Sequence, residues 1–250
     1  MSLQIRVATY NVHKCRGLDR RTRPERIAQV IAQLGADIVA IQEILDVQNG
    51  RPEFDQAGRI HSLLPDYELC FGENRKLHGG RYGNLTLSRF PVKVCANYDI
   101  TWRHRERRGC LRSDLLLPNG VLLHLFNVHL GTSFLERRHQ ARVLLSDEVL
   151  HRQEYAGPKI VVGDFNEWTH GLASRLMVEA FEAAHPRKRL WFPRTYPGVF
   201  PVLQLDHFYY DGNLRLRSFR VHRTPSALLA SDHLPLVACF DLTPPEAPLA

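Results

Sequence analysis

Lys159-Ile-Val-Val-Gly163-Asp164-Phe165-Asn166-Glu167 is a short apolar run that ends at a glycine, with an acid and an amide following two residues apart. Such a run reads as a buried strand that delivers polar side chains to a rim, where ligands sit in α/β sheets. Taken alone, it reads more simply as a strand entering an ordinary Asp/Asn turn. Repetition tips the balance, because other strand-like runs in the chain also end in Asn, Glu, His or Asp.

The first of these is Leu3 to Val12, with Ile5 and Val7 on one face, Arg6 and Ala8 on the other, and Asn11 and His13 at its end. Thr22 as N-cap, Pro24 and Glu25 then predict a capping box. Ile27, Val30, Ile31 and Leu34 form a helical stripe, and Gly35 stands at the C-cap position. Asp37-Ile-Val-Ala-Ile41 is a second buried strand, ending in Gln42-Glu43, so the segment reads as a βαβ unit. A short helix is expected within 45–65. Tyr67–Phe71, Tyr82–Ser88 and Val92–Asp99 read as strands, with Asn74 to Gly80 a polar loop. His104-Arg-Glu-Arg-Arg-Gly109 is a basic loop, either solvated or in contact with phosphate.

Arg112–Leu117 and Val121–Leu130 form a hairpin across Pro118-Asn119-Gly120, and the second strand carries Asn127 and His129. Ser133 with Glu136 predicts another capping box, ahead of a helix with Ala141, Leu144, Leu145 and Val149 on its apolar face. A helix is expected over Leu172–Ala184 and an aromatic, proline-containing loop over Trp191–Phe200. Gln204–Tyr210 reads as a strand with Asp206 and His207 on opposite faces. Leu214–His222 is expected to pair with it across Asp211-Gly212-Asn213. Ser231-Asp232-His233 precedes a last strand, Leu236–Asp241. Residues 1–243 read as one domain, with 244–250 a flexible tail.

The chain has 250 residues, 44% of them hydrophobic, and a net charge of +7. That length supports one sizeable core. The charge favours anionic partners and says nothing about fold. The five cysteines are scattered, without CxxC spacing. They imply neither a disulfide framework nor a zinc site, and a reducing cytosol is the simplest setting. With no signal-peptide pattern and no run of roughly 18 apolar residues, the expectation is a cytoplasmic monomer without a transmembrane segment.

The strand-end residues are Asn11, Glu43, His129, Asp164, Asn166, Asp206, Asp232 and His233. Hard oxygen donors with two imidazoles and no cysteine suit Mg²⁺ or Mn²⁺ rather than zinc. The set also has an order. Thr9-Tyr-Asn11, Ile41-Gln-Glu43, Asn84-Leu-Thr-Leu-Ser-Arg-Phe-Pro91, Asn127-Val-His-Leu130, Gly163-Asp-Phe-Asn166, Leu205-Asp206 and Ser231-Asp-His-Leu-Pro235 together resemble the endonuclease/exonuclease/phosphatase superfamily, the fold of pancreatic deoxyribonuclease. The matching segments run from residue 9 to 235.

The resemblance implies a four-layer α/β sandwich, with two mixed β-sheets face to face and helices outside. It implies a divalent-metal-dependent phosphoesterase, most simply a phosphodiesterase. Glu43 would be the principal metal ligand, with Asn11 beside it and Asp232 a further ligand. Asp206 would orient His233, which would activate the attacking water. Asp164 would position the nucleophile or protonate the leaving group. Asn166 and His129 would hydrogen-bond the scissile phosphate. His13 is expected to be structural, and Lys14 and Arg108 are options for phosphate contact.

Arg-Arg-Gly-Cys-Leu-Arg112, Glu136-Arg-Arg-His-Gln140 and Gly163-Asp-Phe-Asn-Glu-Trp168 are similar to a group of small bacterial proteins of this superfamily, some relatives of which are associated with phospholipid or inositol-lipid metabolism. Expected substrates are therefore nucleic acid, a phospholipid head group or an inositol phosphate. The reading from a different class is a non-catalytic phosphate-binding module that keeps the fold.

Overall fold

Alternation in the first strand sets the layering. In β1 (Gln4–Asn11), Ile5 and Val7 enter one core while Ala8 and Tyr10 enter another. The computed structural model describes residues 3–47, 54–152, 155–168, 171–184 and 193–242. Within them β1 joins β2 (Ile38–Asp46), β3 (Glu68–Leu77), β4 (Gly80–Ser88), β11 (Leu214–Val221) and β12 (Leu236–Leu242) in a sheet of order β11-β12-β1-β2-β4-β3. A second sheet has the order β5-β6-β7-β8-β10-β9. Its strands are β5 (Val92–Asp99), β6 (Gly109–Leu116), β7 (Leu122–His129), β8 (Lys159–Asp164), β9 (Glu182–Ala183) and β10 (Asp206–Tyr210).

The sheets face one another across a core of Ile5, Val7, Ile38, Leu125, Ile160, Val162, Phe208 and Phe240. On the outer face of the first sheet lie α1 (Pro24–Leu34), α2 (Gln56–Leu63) and α5 (Pro225–Ala230), buried through Ile27, Ile31, Leu34, Ile60 and Ala227. On the outer face of the second lie α3 (Phe134–Leu144) and α4 (Leu172–Ala180), through Ala141, Leu144 and Met177. This is the expected four-layer sandwich. No helix of the described residues is long and apolar enough to cross a membrane.

Each sheet contains one parallel pair, β1 with β2 and β7 with β8, each connected through a helix on the outer face. The carboxyl ends of all four strands emerge at the same end of the sandwich. There the facing residues turn polar while remaining buried. Asn127 Nδ2 donates to the carbonyls of Ile41 and Leu85 at 3.0 Å each, and Gln42 Nε2 donates to Asn127 Oδ1 at 2.8 Å. Asn84 Nδ2 donates to the carbonyls of Gly109 and Asn127, both at 3.1 Å. These amides bond one sheet to the other without a ladder between them.

Several expectations are corrected. Helix α1 begins at Pro24 with Arg23 at the N-cap, and Thr22 pairs with Arg16 in an isolated bridge instead of capping. Ser133 holds the N-cap position of α3 but makes no capping bond, and Glu136 turns inward and is buried. Asn74 to Leu77 continue β3 into a hairpin that turns at His78-Gly79, both with positive φ. Their polarity reflects a ribbon that projects past the core, where neither face needs to be apolar. Helix α4 stops at Ala180, and Glu182–Ala183 pair with β10.

Strand β11 does not pair with β10. Strand β10 is flanked by β8 and β9, and at Asp211–Asn213 the chain crosses to the first sheet, where β11 pairs with β12. Cys70 and Cys95 form a disulfide, with Cα atoms 5.7 Å apart. They lie on β3 and β5, edge strands of different sheets, a proximity that 25 residues of separation do not reveal. Cysteine spacing therefore gives no ground for a reducing compartment. The tail 244–250 and the start of the aromatic segment, Trp191 and Phe192, lie outside the described residues.

Asn127→Leu should lower stability by about 3 kcal/mol, because two carbonyls and the Gln42 amide lose their partner in a dry interface. Urea denaturation should show a lower midpoint at unchanged slope.

Candidate active site

The inward face of each strand continues in register past the apolar core, and its next positions are the predicted residues. Ile160 and Val162 are followed by Asp164, and Leu123 and Leu125 by Asn127 and His129. Ile5 and Val7 are followed by Thr9 and Asn11, and Asp206 precedes Phe208 and Tyr210. With a side-chain period of two, an unbroken strand has no other place to put them. Gly163 (φ +144°) allows the approach of β8 to β7, since a Cβ there would lie 1.9 Å from the Val128 carbonyl oxygen.

Glu43 breaks the period. Ile38 and Ala40 face the other sheet, and Val39 and Ile41 face α1; yet Ile44 also faces the α1 side. The pairing of β2 with β4 slips between Ile41 and Ile44, and Glu43 within that bulge has φ +59°. The bulge returns the Glu43 side chain to the space between the sheets, where Asn11 Nδ2 donates to its Oε1 at 3.2 Å. Lys14 Nζ donates to Oε2 at 2.8 Å. The turn His13–Cys15 after β1 is also strained, with φ of 46°, 56° and 55°.

Asp164 is the hub. Its Oδ2 accepts from Asn11 Nδ2 at 2.9 Å and lies 3.7 Å from Nε2 of both His129 and His233. Its Oδ1 accepts from the Asn166 amide at 2.8 Å, and Asn166 Nδ2 donates to the Leu130 carbonyl at 2.9 Å. His233 Nδ1 bonds Asp206 Oδ2 at 2.9 Å, and Thr195 Oγ1 donates to the same oxygen at 2.5 Å. Ser231 Oγ donates to the Asn11 carbonyl and accepts from the His233 amide. Asp232 is met by His13 Nδ1 at 3.3 Å. His207 lies on the opposite face of β10, in contact with the Phe165 and Tyr209 rings.

The eight predicted residues thus converge, and the neighbours join them. Arg108, directly before β6 in the basic segment, is buried, and its Nη1 lies 3.0 Å from His129 Nδ1. The same Nη1 lies 3.3 Å from His129 Nε2, which also faces Asp164 at 3.7 Å and Glu43 at 4.0 Å, so the guanidinium lies against both ring nitrogens. Arg108 and Lys14 were options on charge alone; His13, read as structural, touches a carboxylate of the site. Thr195 carried no sequence signal, because a threonine in an irregular segment looks the same whether or not it meets Asp206.

The electrostatics separate the two imidazoles. Burial and then the Arg108 guanidinium push His129 down to about 4, so it is neutral. Burial opposes charge on His233 as well, but Asp206 and Asp164 outweigh it and lift the imidazole to about 10. Burial pushes Asp164 above the usual carboxylate range, against the opposing pull of His233. For Glu43 burial is overcome chiefly by the Lys14 ammonium with the Asn11 amide, and for Asp232 by His13 and His233, so both are held below that range.

Two ionised carboxylates, Glu43 and Asp232, make a hard-oxygen donor set that suits Mg²⁺ or Mn²⁺, while Asn11 turns its Nδ2 toward Glu43 and its Oδ1 accepts from the His13 amide. Asp164, Asp206 and His233 also place ligand atoms within 4.8 Å of one another. Asp206 Oδ2 is already shared by His233 and Thr195, however, which suits an oriented base better than a cation ligand.

A sequence profile of the Endonuclease/Exonuclease/phosphatase family matches residues 8–233. The uncharacterized protein YbhP of Escherichia coli strain K12 is 30% identical over 253 aligned positions, covering 93% of this chain and 94% of that protein. The solved endonuclease/exonuclease/phosphatase of Bacteroides vulgatus is similar with a TM-score of 0.80 at 19% identity, over 96% of this chain and 100% of that one. The human Nocturnin catalytic domain, solved with a bound sulfate anion, gives 0.75 at 22%, over 96% and 94%. These two structures speak to the fold.

The positive φ of Glu43 has a measurable consequence. In EDTA, Glu43→Gly should be more stable than Glu43→Ala by about 1 kcal/mol, the reverse of their order in a relaxed strand. Paired urea titrations of the two variants read the difference directly.

Proposed function

The chain belongs to the endonuclease/exonuclease/phosphatase family, and on that premise we propose that residues 1–243 form a divalent-metal-dependent phosphoesterase acting on phosphodiesters. The observation that carries the reading is the Thr195–Asp206–His233 chain of hydrogen bonds aimed at Asp164, with Glu43 and Asp232 ionised beside it.

In this reading His233 takes the proton of the attacking water at Nε2. Asp206, fixed by Thr195, holds the imidazole in the tautomer that leaves Nε2 free and balances the charge it gains, the logic of an orienter and base. Asp164, whose burial favours the protonated acid, gives a proton to the leaving oxygen. Neutral His129 donates its ring N–H to a non-bridging phosphate oxygen, with the Arg108 guanidinium beside it adding positive charge. Asn166, anchored through Leu130, closes the same side of the phosphate. Glu43, Asn11 and Asp232 are the residues that would hold Mg²⁺ or Mn²⁺. When bound, the ion supplies positive charge that stabilises the phosphoryl transition state and draws the His233 pKa down toward a range suited to a base.

Bis-p-nitrophenyl phosphate should be hydrolysed in Mg²⁺ or Mn²⁺ faster than the monoester, and EDTA should abolish turnover. His233→Ala and Glu43→Gln should each lower kcat by about 10² to 10⁴. Undiminished turnover in both variants would overturn the mechanism.

A further inference from the structure

The end of the sandwich that holds the site also carries exposed apolar side chains. The segment Tyr196-Pro-Gly-Val-Phe-Pro-Val202 is anchored against the site: the Gly198 amide donates to the Asp232 carbonyl at 2.7 Å, and the Tyr196 ring lies 5.0 Å from that of His233. From that anchor it presents Val199, Phe200 and Val202 to solvent, with Phe200 75% exposed. Across the site, where β7 and β8 end, Phe134, Leu135 and Trp168 are each more than half exposed, and Arg137 stacks on the Trp168 ring. Large apolar groups concentrated on one rim mark a contact surface.

The same end is basic. Loop 103–107 joins β5 to β6, and Gly109 pairs with Asp99 and Cys110 with Val128, so the loop leaves the sandwich beside the end of β7. Its acidic neighbours are engaged, Asp99 by Arg107 and Glu106 by Arg75 and Arg108. Arg103, His104 and Arg105 are exposed and form no ion pair among the described residues. Single-stranded nucleic acid would stack bases on open aromatic faces. Phe134 and Phe200 offer them, but the Trp168 and Trp102 rings are already met by Arg137 and Arg103, and Val199, Val202 and Leu135 carry no ring. A second copy would bring like charge against like charge. Aliphatic, Phe and Trp side chains beside exposed arginines match an interface of acyl chains under anionic head groups.

We propose that this end of the protein docks on an anionic phospholipid surface. The Val199–Val202 loop and the Phe134, Leu135 and Trp168 cluster enter the apolar boundary, and loop 103–107 lies among the head groups. The site between them then faces the phosphodiester of a membrane lipid, an assignment of substrate class that rests on the phosphoesterase reading, whereas the docking does not.

Co-sedimentation of the full chain with sucrose-loaded vesicles, in EDTA so that no turnover intervenes, tests the docking. Vesicles of phosphatidylcholine with phosphatidylglycerol should bind the protein, and pure phosphatidylcholine should bind it far less. Partitioning should fall about tenfold or more in Phe200→Ser/Val202→Ser and in Arg103→Glu/Arg105→Glu, with circular dichroism unchanged. No partitioning of the wild type, equal partitioning of wild type and both variants, or displacement from vesicles by a single-stranded oligonucleotide would overturn it. Hydrolysis of bis-p-nitrophenyl phosphate without vesicle binding removes the docking alone. Vesicle binding without turnover of any phosphodiester supports the docking and removes the phosphoesterase reading.

Discussion

Two twisted sheets packed face to face must satisfy two demands at the end where their strands deliver chemistry: the interior must stay dry, and every polar group in it must find a partner. Here one buried layer of amides meets most of the second demand, Asn84 Oδ1 alone in the layer being left without a partner among the described residues. Asn127 and Asn84 donate to carbonyls across the interface, and Gln42 reaches Asn127. Because each bond spans the two sheets, the layer fixes how β2 and β4 lie over β6 and β7. That relation sets the positions of Asn11 and Glu43 on one wall relative to His129 and Asp164 on the other. A purely apolar contact at this level would let the walls slide, since dispersion is not directional.

The candidate site departs from relaxed backbone at several of its residues. Glu43 leaves the strand period through a bulge at positive φ, Asn166 has φ +50°, and His13 to Cys15 form a left-handed turn. Each such residue costs of order 1 kcal/mol or more and persists because its surroundings over-determine it. Asn166 is held at both its backbone and side-chain nitrogen, and Glu43 is held by Asn11 and Lys14. Charge follows the same pattern. Three carboxylates around His233 outweigh its burial and make it strongly basic, while burial and then Arg108 keep His129 neutral, so one small volume holds two imidazoles in opposite states.

The site was legible in the sequence to the extent that its residues sit at strand ends. Asp164, His129, Asn11 and Asp206 follow from alternation, because the same period that buries Val162, Leu125, Val7 and Phe208 carries them inward. Asp232 and His233 were found through the order of motifs rather than through any local period, since they stand in a connection. Thr195 was invisible, and Arg108 and Lys14 showed as charge without an address. The capping boxes at Thr22 and Ser133 failed for the opposite reason. A local pattern was present, but Thr22 is drawn into a bridge with Arg16 and Glu136 is drawn into the interior.

By itself the sequence determined most of the elements and the polarity of their faces. Strand period, the stripe of α1 with its Gly35 cap, the parallel pairing implied by strand, helix, strand, and the polar character of the strand ends all depend on residues within a few positions of one another. Only the tertiary structure decided which sheet each strand joins, as when β10 and β11, adjacent in the chain, separate into different sheets. It alone paired Cys70 with Cys95, turned Glu43 back into the cleft, and set an exposed apolar loop beside His233. Each of these is a relation between residues far apart along the chain, fixed by competition among all possible partners, and such a competition leaves no local mark.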